Sequence, residues 1–140
     1  MPRDMTEPRA AEAAFYSAFS ALDLDAMRDC WAPLPAVYCV HPGGPALRGS
    51  EAVMQGWREI FSSAKPPNIS YRLVEAHRTP SLVVHLVEER IRPGGEGSDA
   101  SLVMATNLFI RYQGEWRMLA HHASLPLMKT GKRRPVPRLH

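Results

Sequence analysis

At 140 residues the chain has the length of a single domain, able to bury roughly two-thirds of its unfolded surface in one core. Its 45% hydrophobic and 22% charged residues exclude a natively disordered chain. The net charge of +3 is concentrated at one end: Lys129, Lys132, Arg133, Arg134 and Arg138 supply five positive charges, which leaves the body at about −2 and predicts a solvated basic tail over 127–140, with no nucleic-acid partner.

Residues 1–9 are polar, carry Pro2 and Pro8, and are expected to form a flexible arm ahead of a single domain over 10–126. From Ala10 to Leu22 the apolar residues Ala11, Phe15, Ala18, Phe19 and Leu22 recur at spacings of three and four, which predicts a helix with one buried face. A second short helix runs through Met27 to Trp31 and stops at Ala32-Pro33. The β-forming run Val37 to His41 predicts a strand that ends in the Pro42-Gly43-Gly44-Pro45 loop. Ser50 then starts a helix whose stripe is Val53, Met54, Trp57, Ile60 and Phe61. Four strands follow, over 69–79, 82–92, 101–112 and 115–124, separated by Thr79-Pro80, the Pro93 to Gly97 loop and Gln113-Gly114. Helices first and a meander after them predict an α+β domain, with the helices on one face of an antiparallel sheet.

No stretch has the length of a membrane span, so no membrane partner is expected. Arg3, Asp4, Glu7 and Arg9 interrupt any apolar N-terminal run, and Cys30 and Cys39 fall on a helix and a strand as separate buried thiols; both features predict a cytoplasmic protein. Phosphate-cradling glycine loops, G-x-S-x-G, H-E-x-x-H and C-x-x-C are absent, which removes the warrant for nucleotide use and serine hydrolysis. His121-His122 is no chelate, because adjacent strand residues point to opposite faces, and no metal or other cofactor is predicted.

Leu24-Asp25-Ala26-Met27 leading to Trp31, the Val40-His41-Pro42-Gly43-Gly44 run, Leu47-Arg48-Gly49, Thr106-Asn107-Leu108-Phe109, and Gly114 to Arg117 followed by His121 to Ser124 together resemble the SnoaL-like branch of the nuclear-transport-factor-2-like superfamily over residues 10–126. The resemblance implies a cone of curved, mainly antiparallel sheet with N-terminal helices on its concave face, a pocket inside, and a homodimer through the outer sheet face. Isomerases, cyclases, dehydratases and non-catalytic modules share this fold, so function rests on the site.

Comparison with ketosteroid isomerase places His41 where that family has its general base, before a proline at the end of the first strand. A neutral imidazole suits proton abstraction, although His41 could equally cap the strand and its loop. The isomerase's tyrosine falls on Phe15 and its aspartic acid near Asn107, which argues against steroid isomerisation itself; Tyr16, about 100° further round the helix, is expected to point elsewhere. Strand alternation puts Val84, Leu86 and Glu88 on one face, and the family register turns Asn107 and His121 inward. A slip of one residue would exchange Glu88 for Glu89. The candidate catalytic set is therefore His41, Glu88, Asn107 and His121. Phe15, Trp31, Trp57, Phe61, Leu86, Phe109 and Leu119 are the candidate pocket wall, which suits a small apolar or aromatic ligand, although most of these aromatics serve equally as core. Two readings stay open: a cofactor-independent isomerase, cyclase or dehydratase, and a non-catalytic binding or dimerisation module whose outer face includes Trp116, Met118 and Ala120.

Overall fold

The structure, a computed structural model, describes residues 6–63, 65–94 and 99–126. Three helices, α1 (Pro8–Ala21), α2 (Leu24–Cys30) and α3 (Ser50–Ser63), pack on a six-stranded sheet of β1 (Tyr38–Val40), β2 (Ala46–Arg48), β3 (Asn68–Arg78), β4 (Leu82–Arg92), β5 (Ser101–Tyr112) and β6 (Glu115–Ser124). The strand order is β2-β1-β6-β5-β4-β3. Every pairing is antiparallel except β1 with β6. The α+β cone is thus present, and the expected basic tail lies outside the described residues.

Local chemistry sets the boundaries. Helix α1 starts two residues before the expected Ala10, because Pro8 occupies its first turn, where its missing N–H costs nothing. Leu22 ends α1 in the left-handed region, and the Asp23 carboxylate accepts the Ala26 amide at 3.0 Å to cap α2. The loop after β1 proved to be a hairpin: the Gly44 amide donates to the His41 carbonyl at 2.8 Å, and the chain returns as β2, a strand too short to stand out in the sequence. Gln113 and Gly114, both at positive φ, make the tight β5–β6 turn.

The helices and the concave sheet face enclose the core. Phe15 stands edge-on to Trp57 at 5.5 Å and to Trp31 at 6.4 Å, and Phe19 to Trp57 at 5.0 Å. Two β-bulges bend the sheet. In the β5–β6 ladder Leu108 faces Ala120 but Phe109 faces Met118, so Leu119 is the extra residue; between β3 and β4 the extra residue is Val74. The Leu119 bulge reverses the alternation expected for β6. Trp116 and Met118, read from the sequence as an outward face, are instead fully buried in the core, and of that trio Ala120 alone keeps the outer register.

Candidate functional site

Across the concave face runs a band of polar side chains. β4 is buried at Val83, Val87 and Glu89 and, between them, at His85, so its odd-numbered residues face the helices. This corrects the expected register. Glu88 lies on the outer face, where Arg72 reaches it at 3.4 Å, and Leu86 is outside as well, lining a shallow depression of about 450 Å³ with Tyr38, Met104, Leu108 and His122. Glu89 takes the inward position, 1% exposed.

From the helix side, α1 contributes Glu12 and Tyr16, one turn apart and both buried. Tyr16 therefore does point into the site, contrary to expectation: its hydroxyl donates to Glu89 Oε2 at 2.5 Å and accepts from Asn107 Nδ2 at 3.1 Å. Asn107 Nδ2 also donates to Glu12 Oε2, and His85 Nδ1 lies against Glu12 Oε1, each at 3.0 Å. Asn107 Oδ1 meets His121 Nδ1 at 2.6 Å, while His121 Nε2 stands 4.0 Å from Glu89 Oε2. Asn107 and His121 are brought together as expected. His41 is half-buried beside them, its ring 6.4 Å from that of His121, 4.6 Å from Trp57, and its Nε2 3.6 Å from the Cys39 thiol.

Burial governs the protonation of these groups. It pushes the Glu89 carboxyl up to about 7, the charge of Glu12 adding to the effect and the Tyr16 hydrogen bond opposing it. Burial also lowers His41, and lowers His121 to about 3 with help from His41 and His122, so both imidazoles are neutral at neutral pH. Burial and the Glu89 charge hold the Tyr16 hydroxyl and the Cys39 thiol protonated.

These protonation states fix the wiring. Tyr16 gives its one proton to Glu89, so it accepts from Asn107 and the amide nitrogen must face it. Asn107 Oδ1 then faces His121, whose Nδ1 carries the proton, and Nε2 is left with its lone pair toward Glu89. The result is a carboxyl that changes charge near pH 7, a phenol donating to it, and a neutral imidazole acceptor 4.0 Å away. Such a set can take a proton from one atom and return it to another.

Of the expected pocket wall, Phe15, Trp57 and Phe109 are fully buried around this band: Phe15 lies 4.9 Å from His121 and Phe109 lies 5.2 Å from His85. Phe61 is half-buried against Trp57, and Leu119 is the half-buried bulge residue. Trp31 instead lines a separate cleft of about 190 Å³ between α2 and α3 with Val37, Val53 and Met54. His122 is exposed on the outer face, and among the described residues no three His, Cys, Asp or Glu side chains are grouped to hold a metal.

Glu12, Tyr16 and His85 were not among the expected site residues, and Glu89 entered only as the alternative to Glu88 on a one-residue slip of register. A signal existed for Glu12 and Tyr16, which share one side of α1 at a spacing of four and border its apolar face.

With this architecture the comparisons agree. The SnoaL-like domain family matches residues 9–128, and the chain belongs to that family, within the nuclear-transport-factor-2-like superfamily. Among solved structures, a "putative calcium/calmodulin-dependent protein kinase type II association domain" from Thiobacillus denitrificans is 37% identical, covering 90% of this chain and 99% of its own, with a TM-score of 0.83. A "putative dehydratase from the NTF2-like family" of Streptomyces avermitilis is 30% identical over 89% of this chain and 96% of its own, with a TM-score of 0.80. A ketosteroid isomerase-like protein from Erwinia carotovora, 16% identical with a TM-score of 0.72, shares the fold over 86% of this chain and 95% of its own. The F-box protein SKIP8 of Arabidopsis thaliana is 23% identical over 114 residues; the chain spans about half the length of that curated relative, 47%. No helix among the described residues is long and apolar enough to cross a membrane.

Proposed function

We propose that the polar band is the working site of a cofactor-independent enzyme of the isomerase, cyclase or dehydratase type, which moves a proton on a small apolar substrate. The observation that carries this reading is Glu89, a carboxyl buried to 1% exposure, raised to about 7, and answered by a phenol instead of a cation. A general acid/base works best when its pKa lies near the operating pH. Glu89 exchanges the proton, Tyr16 stabilises its ionised form, and His121 Nε2 is the second acceptor, oriented by Asn107. His41, neutral at the edge of the band, is the further base. Two buried thiols, Cys30 and Cys39, support a cytoplasmic setting.

Ligand-observed NMR against steroids, aromatic polyketides and terpenoid epoxides tests this, with wild type, Glu89→Gln and His41→Ala compared. A compound that wild type binds and converts, and that Glu89→Gln binds without converting, supports the reading. Turnover that survives Glu89→Gln, or binding with no conversion of any bound compound, defeats it.

A second reading, compatible with the first, is a homodimer through the outer sheet face, where Tyr38, Leu86, Met104 and Leu108 surround an open depression and Tyr38 is 37% exposed. Light scattering should give a dimer mass that Leu86→Glu with Met104→Glu halves. A monomer mass for the wild type at high concentration rejects it.

A further inference from the structure

The hydrogen-bond inventory of the band says what it lacks. Tyr16 O–H is given to Glu89, both Asn107 N–H groups go to Glu12 and Tyr16, and His121 Nδ1–H goes to Asn107. The remaining capacity is for accepting. Among the described residues Glu89 receives one hydrogen bond, where an ionised carboxylate has room for about four. His121 Nε2 offers a lone pair 4.0 Å from Glu89 Oε2, beyond hydrogen-bonding distance. The nearby side-chain donor without a partner is Trp57 Nε1, which carries no charge.

The charge is unbalanced in the same direction. Among the described residues the ionisable groups around Glu89 are Glu12 and Tyr16 from α1, Cys39 from β1, Tyr71 paired beside it on β3, His121 from β6 and, next to His121, His41 after β1; Arg9 at the start of α1 is exposed and acts on Tyr71. Glu12 has the His85 ring at 3.0 Å; among the described residues the imidazole nearest Glu89 is that of His121, which burial keeps neutral. The arginines Arg78 and Arg111 lie over Trp116, beyond the Phe109 end of the band. A buried carboxylate without a cation is costly, and a ligand that brings one relieves the cost.

We infer that the ligand of this site is a small apolar molecule bearing a protonated amine, whose ammonium group bridges Glu89 and His121 Nε2. The inference rests on the concave face being the ligand site. An ammonium has three donors and no acceptor, which matches two acceptors about 4 Å apart. An alcohol supplies one donor and no charge. A carboxylate supplies neither and would add a second negative charge.

The test is calorimetric titration of the full chain with matched amines, alcohols and carboxylates on phenylmethyl, naphthylmethyl and adamantyl frames, between pH 5.5 and 8. For a carboxyl that ionises near 7, amine affinity should rise about thirtyfold over that range, while alcohol affinity stays flat. Glu89→Gln should weaken the amines at least tenfold at pH 8, remove their pH dependence and bring them down to the affinity of the matched alcohols; circular dichroism shows whether this variant is folded, and Glu89→Asp, keeping the charge, should retain the amine preference. Alcohols or carboxylates that bind as tightly as amines overturn the amine assignment and leave the pocket standing. If no frame binds in any form, the concave face is not a ligand site and both fall together.

Discussion

Replacing Glu89 by Gln should make the protein's stability less sensitive to rising pH, a reversal of the usual behaviour of a paired carboxylate. The Glu89 carboxyl is raised from its ordinary 4.5 to about 7 in the folded chain. Between those values the folded state holds a proton that the unfolded chain has released, so unfolding becomes easier as pH rises through this window. At 1.36 kcal/mol per pH unit the difference amounts to about 3 kcal/mol, present as stability below pH 4.5 and gone above pH 7. The side chain is 1% exposed, so solvent does not discount the figure further. Urea titrations of wild type and Glu89→Gln at pH 4 and pH 8, read by the buried Trp57 and Trp116, isolate this contribution because other titrating groups are common to both proteins. The stability of the variant relative to wild type should improve by about 3 kcal/mol between the two pH values. A difference that stays constant would show that Glu89 titrates as an ordinary carboxylate and would remove the basis for the acid/base role proposed for it.

His121 should act in the opposite sense: its folded value of about 3 against an ordinary 6.5 means that stability is lost as pH falls from 6.5 to 3, by about 5 kcal/mol, and His121→Gln should flatten that acid limb in urea titrations at pH 4 and 7. Asp23→Ala removes the α2 cap and should cost about 1 kcal/mol in the same assay, with little change in ligand binding. Deleting Leu119 removes the bulge and turns Trp116 and Met118 toward the outer face, so the variant should show no cooperative thermal transition by circular dichroism.

The helices, the β3 to β6 meander and the fold class were legible because each rests on a local signal: the Phe15, Phe19, Leu22 spacing on α1, the Gln113-Gly114 turn, and the Pro and Gly breaks between strands. The face of β4 was not. Leu82, Val84 and Leu86 make as good an apolar set as Val83 and Val87, because the outer side of this sheet is apolar too, and the hydrophobic pattern alone cannot choose between them. The polar residues held the better clue. His85 and Glu89 can turn inward together only where partners lie opposite, and those partners, Glu12 and Tyr16, are each 73 residues away in sequence.

The Leu119 bulge explains why structure and site coexist on one concave face. On its β5–β6 turn side the inward residues are Phe109, Met118 and Trp116, packed under the helices as core. On its other side alternation resumes in the opposite phase, and Asn107 opposite His121 forms the polar band with His85 and Glu89. Beyond the band, Val103, Ala105 and Ala123 with Ile91 make a second apolar cluster, separate from the main core. Without the extra residue, a strand in strict alternation would carry either His121 or Met118 inward, never both. The bulge lets one strand finish the core and then supply the imidazole, with a second buried apolar cluster past it.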